Sequence, residues 1–283
     1  MATSRPIGAR RRNDLLFYAV VAVILLSVFL PILLILRYSL ASQTDLNSIP
    51  PRLVPRSLTL AHFQTIFSDP QFLASLKNSL IIAGGTTVVS LVVGGPAAYA
   101  LARLRFRFRT TIMAGILAIS FFPMVAVIAP LFIQYRNLGL LDTYAAVIVT
   151  DTVFALPLAV WILAAFFRQL PPALEDAAKV DGATTLQAFR RVILPLAAPG
   201  VSTAAILTFI ATWNEFLFAI TFLLSPAKWP VTVLIPNYSQ LRLVPDYGAQ
   251  AAAALVVTVP MLAFVLVFQR RIVSGLTAGA VVG

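Results

Sequence analysis

The sequence predicts an all-α polytopic membrane protein with six transmembrane helices, and two observations predict it. The first is solubility. Sixty per cent of the 283 residues are apolar and only 11% are charged, giving a mean hydropathy of +0.93. A soluble domain carries about a quarter charged residues. A chain with fewer than half that share cannot cover itself with a hydrated surface, so lipid is its main solvent. The second is length. A bilayer core about 30 Å thick needs about 20 apolar residues at a rise of about 1.5 Å each, and six runs meet that requirement: 15–36, 79–101, 110–133, 144–167, 201–224 and 249–268.

The first run follows Arg5, Arg10, Arg11 and Arg12, as in a signal peptide, but it is 22 residues long and has no small-residue cleavage site at its end. It reads as a retained helix behind a cytoplasmic N-terminus, 1–14. The internal prolines Pro31, Pro96, Pro123, Pro130, Pro157 and Pro260 are tolerable inside membrane helices, where neighbouring groups satisfy the freed carbonyls. The outer loop, 37–76, is rich in Pro and Ser. A core, 77–268, then holds the other five helices and a cytoplasmic loop at 168–199, and the tail, 269–283, follows. No internal repeat is evident, which weighs against carriers built from inverted halves.

Orientation follows from the basic residues. Fourteen lie in the N-terminus, the 103–109 loop, the 168–199 loop and the tail, against seven on the other side. The richer side is the cytoplasmic one, so both termini face inward. The same distribution disposes of nucleic acid as a partner, because the net charge of +11 sits in short loops between apolar runs. The chain has no cysteine and a single histidine, His62, which excludes disulfides, thiolate chemistry and a His-pair metal site.

The 168–199 loop specifies two short helices around a glycine. Pro171 and Pro172 suit a first turn, and Glu175 and Asp176 place negative charge at its positive end. Ala177 and Ala178 offer a small face. Gly182 is a natural stop, since glycine takes the left-handed cap conformation cheaply. Thr184 with Gln187 fits a T-x-x-Q capping box opening the second helix, which Pro195 and Pro199 end before the fifth span. Helix physics alone leaves two readings open: a helix pair sealing the membrane surface, or a projecting contact for a partner.

The loop resembles the cytoplasmic signature of ATP-binding-cassette (ABC) importer permeases: Glu-Ala-Ala, three residues, Gly, nine residues, then Ile-x-Leu-Pro. The matching residues are Asp176, Ala177, Ala178, Gly182, Val192, Leu194 and Pro195, with both spacings intact. Asp176 replaces the family's Glu and Val192 its Ile, and Glu175 is a candidate to compensate for the shorter acid. D-G-A-T at Asp181–Thr184, W-N-E-F at Trp213–Phe216 and the ending F-Q-R-R-I-V-S-G-L-T-A-G-A-V resemble the carbohydrate branch that includes MalG-like maltose permeases.

That resemblance implies a type I ABC importer permease fold in a bacterial cytoplasmic membrane. It implies a second permease as heterodimer partner, two copies of a cytoplasmic ATPase, an external solute-binding protein, and a sugar or sugar derivative as solute. It assigns ATPase coupling to Glu175, Asp176, Ala177, Ala178, Asp181, Gly182, Ala183, Phe189, Val192, Leu194 and Pro195. ATP and Mg belong to the partner ATPase, because this chain has no Walker-type phosphate loop, and no cofactor is expected in the chain itself.

An ion-coupled secondary transporter is the alternative. It would need relay residues inside the membrane, and the spans offer two acids, Asp151 and Glu215. On a continuous helix Thr208, Thr212 and Glu215 share one face, with Asn214 beside it. This stripe reads either as an outward part of the translocation path or as a structural or subunit contact.

Reporter fusions test the topology. Fusions after Leu46, Asn137 and Ser239 are expected outside and those after Arg105, Asp181 and Ser274 inside; an odd number of spans would contradict the reading.

Overall fold

The computed structural model describes residues 7–50, 52, 54–238 and 246–278. Arg5, Arg242 and the last five residues of the tail lie outside them. The helices are α1 (Ile7–Leu40), α2 (Gln43–Leu46), α3 (Ala61–Phe67), α4 (Pro70–Arg103), α5 (Arg109–Ile119), α6 (Met124–Asn137), α7 (Tyr144–Gln169), α8 (Ala173–Val180), α9 (Thr185–Ala188), α10 (Leu194–Leu196), α11 (Ala198–Trp213), α12 (Leu217–Phe222), α13 (Val231–Asn237) and α14 (Tyr247–Ala278). Among the described residues the only β pairing is an isolated bridge between Ala41 and Leu58.

The chain divides into two compact units. The first comprises residues 1–68 and 238–256. Its α1 presents apolar side chains to its surroundings on every side, the residues from Leu16 to Leu36 being exposed apart from the half-buried Val21, as a helix immersed in lipid does. After α1 the chain folds on Asp45. This buried carboxylate accepts hydrogen bonds from the Arg56 amide at 2.9 Å and the Ser42 hydroxyl at 3.1 Å, with Arg52 at 3.3 Å. Burial pushes its pKa up, but these bonds and the Arg52 charge outweigh it and hold the carboxyl below its ordinary range. His62 sits between the Ala41 carbonyl, 3.0 Å from Nε2, and Asp246, 3.3 Å from Nδ1. Asp246 also caps α14 by accepting from the Ala249 amide.

The second unit comprises residues 69–237 and 257–283, and its centre is α4, α7 and α11. α4 and α7 run parallel, since Gly85 lies against Ile148 and, further along, Gly94 against Val160. α11 meets α7 where Gly200 faces Phe166; a Cβ there would fall 2.3 Å from the ring, so this approach admits only glycine. One apolar cluster, built on Tyr99, Leu163, Phe167, Phe189 and Ile193, closes the end nearest the 168–199 loop. Another, built on Val147, Phe218, Phe222 and Val233, closes the opposite end.

Two predicted spans are not single helices. The 110–133 run is α5 and α6, bent by 87°. Pro123 has no amide hydrogen and pushes the residue before it out of the helical region, so the helix stops at Ile119 and restarts at Met124. The 201–224 run is α11 and α12, separated at residues 214–216. There Asn214 turns back to bond the Ile210 carbonyl at 2.7 Å, competing with the helical ladder. At 16 residues, α11 is about 24 Å long, short of a bilayer core of about 30 Å. The other helices exceed their predicted cores: α1, α4 and α14 extend by several residues at one or both ends. By length and composition, three helices among the described residues are able to cross a membrane, or five if two bent pairs each count once, α5 with α6 and the Thr185–Leu196 helix with α11; α14 adds an apolar stretch at Tyr247–Leu262.

Candidate functional site

The 168–199 loop folds largely by its local signals. Pro172 caps α8, with Glu175 and Asp176 in its first turn. At its end the Ala183 amide bonds the Ala178 carbonyl at 2.9 Å and the Gly182 amide bonds the Lys179 carbonyl at 3.0 Å. That pair of bonds is a Schellman cap. It requires the positive φ of Gly182, +83°, which other residues adopt at a cost. Nothing lies within 4 Å of the position a Gly182 Cβ would take, so the backbone angle alone demands glycine within this chain. The capping box forms as the sequence predicts: the Gln187 amide donates to the Thr184 hydroxyl at 3.3 Å and the Thr184 amide to Gln187 Oε1 at 2.8 Å.

The second arm ends between Pro195 and Pro199, at Leu196. It runs from Thr185 to Leu196 and meets α11 at 77°. Before Pro195 the helix widens into a π-helical turn at Phe189–Ile193, a form that accommodates the missing proline amide.

The predicted loop residues divide between two faces. Asp176, Ala177, Asp181, Gly182 and Pro195 are exposed, and Val180 beside them is 87% exposed. Ala183 is half-buried. Glu175, Ala178 and Phe189 are buried, while Val192 and Leu194 pack partly buried against the apolar cluster beneath. Glu175 therefore does not stand in for Asp176 on the outer face. About 100° of helix separates successive side chains, and that turn points Glu175 inward, where Oε1 lies 3.4 Å from Nε of Arg103.

The intramembrane residues are also sorted. Asp151 on α7, Thr212 on α11 and Glu215 in the 214–216 break line one small cavity of about 80 Å³ with Met124, Phe154 and Phe218. Helical periodicity does not put Glu215 there, because α11 ends at Trp213. The break does, and it lets the Glu215 carboxylate cap α12 by accepting from the amides of Phe218 at 2.7 Å and Ala219 at 3.1 Å. Asp151 is 3% exposed, and neither of its carboxylate oxygens has a hydrogen-bond partner. Thr212 donates to the Thr208 carbonyl, and the Thr208 hydroxyl is buried without a partner. Asn214 is not part of this group: it is exposed and faces a different groove with Phe216, Ile235 and Val257.

Sequence reasoning missed the clamp at the end opposite the loop. Asp142, in a left-handed turn with φ +59°, accepts from the Ser225 amide at 2.9 Å, the Ser225 hydroxyl at 2.6 Å and Lys228 Nζ at 2.9 Å. Burial pushes its carboxyl up, yet the Ser225 and Lys228 bonds dominate and hold it down at about 2. Asn78 donates to the carbonyls of Ala227 and Trp229 at 2.9 and 3.1 Å and accepts from the Tyr144 hydroxyl at 2.8 Å. Ser79 accepts from the Val231 amide at 2.9 Å. The segment after α12 is thus fastened to the starts of α4 and α7.

The chain belongs to the family of binding-protein-dependent transport system inner membrane components, which it matches over residues 90–277. It is 43% identical over 278 residues, covering 98% of this chain and 100% of the relative, to the trehalose transport system permease protein SugB of Mycobacterium tuberculosis. It is 37% identical over 283 residues, 100% of this chain and 99% of the relative, to the sulfoquinovosyl glycerol transport system permease protein SmoH of Agrobacterium fabrum. It is 39% identical over 233 residues, 82% and 84% of the two chains, to the trehalose/maltose transport system permease protein MalG of Thermococcus litoralis. Its fold is similar to a chain of a bacterial ABC transporter that imports the acidic polysaccharide alginate, with a TM-score of 0.78 at 23% identity over 95% of this chain and 99% of that one. It is a permease subunit of an ABC importer, with the type I permease fold.

Capping of α12 by Glu215 is open to test. Glu215→Ala is expected to destabilise the purified protein by about 1–2 kcal/mol, the usual cost of a lost cap, read as a fall in its thermal unfolding midpoint. Glu215→Gln, which keeps an acceptor oxygen, is expected to lose less than half as much; equal losses would contradict the capping role.

Proposed function

We propose that this subunit carries a sugar or sugar derivative through the cytoplasmic membrane of a bacterium. It does so with a second permease, two copies of a cytoplasmic ATPase and an external solute-binding protein. The observation that carries the sugar assignment is similarity along nearly the whole chain to permeases named for trehalose, sulfoquinovosyl glycerol and trehalose/maltose transport. Six spans with both termini inside fit the charge bias, the bent pair α5–α6 and the pair α11–α12 serving as the third and fifth spans. This topology puts the 168–199 loop on the cytoplasmic side.

On this reading α8 seats in the ATPase. Its outward face, with Asp176, Ala177, Val180 and Asp181 exposed, supports the role: a small residue permits close approach, a large exposed apolar one wants a partner, and the acids offer charge complementarity. ATP and its Mg are held by the ATPase partner. The solute path runs past the cavity of Asp151, Thr212 and Glu215, where an unpaired buried carboxylate is costly unless it faces water, a hydroxyl or another subunit.

Two substitutions test the coupling role. Gly182→Ile breaks the cap and adds bulk at the contact, and Asp176→Lys reverses a charge on the outer face. Uptake is expected to fall at least about tenfold in each, the scale of a typical coupling free energy, with Asp176→Lys also weakening co-purification of the ATPase. Normal uptake by both variants would return the loop to a membrane-sealing role.

A further inference from the structure

We infer that the last turn of α4, through Tyr99 and Arg103, ties both arms of the coupling loop to the membrane core, so that loop and helix move as one body. The inference rests on the reading of residues 168–199 as the ATPase contact. Tyr99 and Arg103 are four residues apart, hence on one face of α4.

Arg103 holds the first arm. Its Nε is 3.4 Å from Glu175 Oε1, and another guanidinium nitrogen donates to the Leu170 carbonyl in the connection leading into α8. The two paired side chains are only 8% and 11% exposed. An arginine that served only membrane orientation would be solvated, as Arg105, Arg107 and Arg109 are.

Tyr99 holds the second arm. Its ring packs on Phe189 with centroids 4.8 Å apart and meets Phe167 edge-on at 6.0 Å. One arm is therefore held by charge and the other by aromatic packing, from a single turn of helix.

The geometry also gives a direction of transmission. Glu175 points into the protein, while Asp176 and Ala177 on the same helix point out. A push on the outer face of α8 reaches Arg103 through Glu175. Separating a buried ion pair strands a charge in a dry site, so the joint resists opening, and displacement of the loop passes to α4 and onward through its packing on α7. Arg103 and Tyr99 are thus positioning residues for transport.

The test uses the complete transporter, reconstituted with its ATPase, second permease and binding protein. Arg103→Glu and Glu175→Arg are each expected to lower solute moved per ATP hydrolysed by roughly tenfold with the ATPase still bound, and the double variant is expected to regain most of the loss. Normal coupling in the single variants, or no recovery in an assembled double variant, overturns the joint. A second measurement does not depend on charge. The chain has no cysteine, so Arg103→Cys with Glu175→Cys can be bridged by a cleavable thiol linker as long as the replaced side chains. Transport is expected to continue with the bridge in place. A bridge that stops transport, with recovery on cleavage, shows that the two elements part during the cycle and overturns the inference. Asp176→Lys separates the two failures. Normal coupling in Arg103→Glu beside a defective Asp176→Lys sinks the joint alone, whereas normal transport by Asp176→Lys and Gly182→Ile sinks the coupling reading itself.

Discussion

Inside a bilayer, helices gain nothing by burying apolar surface, because the lipid is as apolar as they are; they hold together by close packing of small residues. In this chain that packing is concentrated where α4, α7 and α11 meet. Gly85 and Gly94 bring α4 against Ile148 and Val160 of α7, and Gly200 brings α11 against Phe166. Ala98, Ala159, Ala164 and Ala204 fill the contacts between them and are fully buried. The rest of the second unit hangs on this contact. It carries the C-terminal turn of α4 to the 168–199 loop at one end, and at the other it brings the N-terminal parts of α4 and α7 to the segment after α12.

Polar chemistry is placed at the ends and breaks of these helices, where backbone groups are free and water is near. Asp142 and Asn78 secure one end, and Arg103 and Glu175 the other. Between them the 214–216 break frees amides that Glu215 caps. Asp151 differs from all of these, since both of its oxygens are buried and without hydrogen bonds. A carboxyl group left so in a membrane protein is expensive, and it shares its cavity with Glu215 and Thr212. That contrast makes this cavity, and not the larger apolar space between α5, α6 and α7, the place to look for the solute path.

What could be read from the sequence was what local rules govern. Gly182, the Thr184–Gln187 pair and the two prolines before α8 set the loop helices through contacts within a few residues, and they form as the sequence predicts. The long apolar runs announced α1, α4 and α7 because length alone decides a span. The bends were hidden because hydrophobicity continues through them: Pro123 read as a tolerated proline, and Asn214 as one polar residue in an apolar run. The division between Glu175 and Asp176 was hidden for another reason. A motif matches positions along a line, whereas the helix turns neighbouring positions to different faces. Arg103 and Asp142 were invisible as partners because each pairs with residues far along the chain, so only the assembled fold brings them together.

On the function proposed above, this chain is a pore-forming subunit whose solute movement is driven by ATP hydrolysed elsewhere. Purified chain in liposomes, with and without its second permease, ATPase and binding protein, tests it most directly. Uptake of a sugar-class solute is predicted only in the full assembly, and only with ATP on the face bearing residues 168–199. Accumulation by the chain alone under an imposed ion gradient, with no ATPase present, would contradict the account.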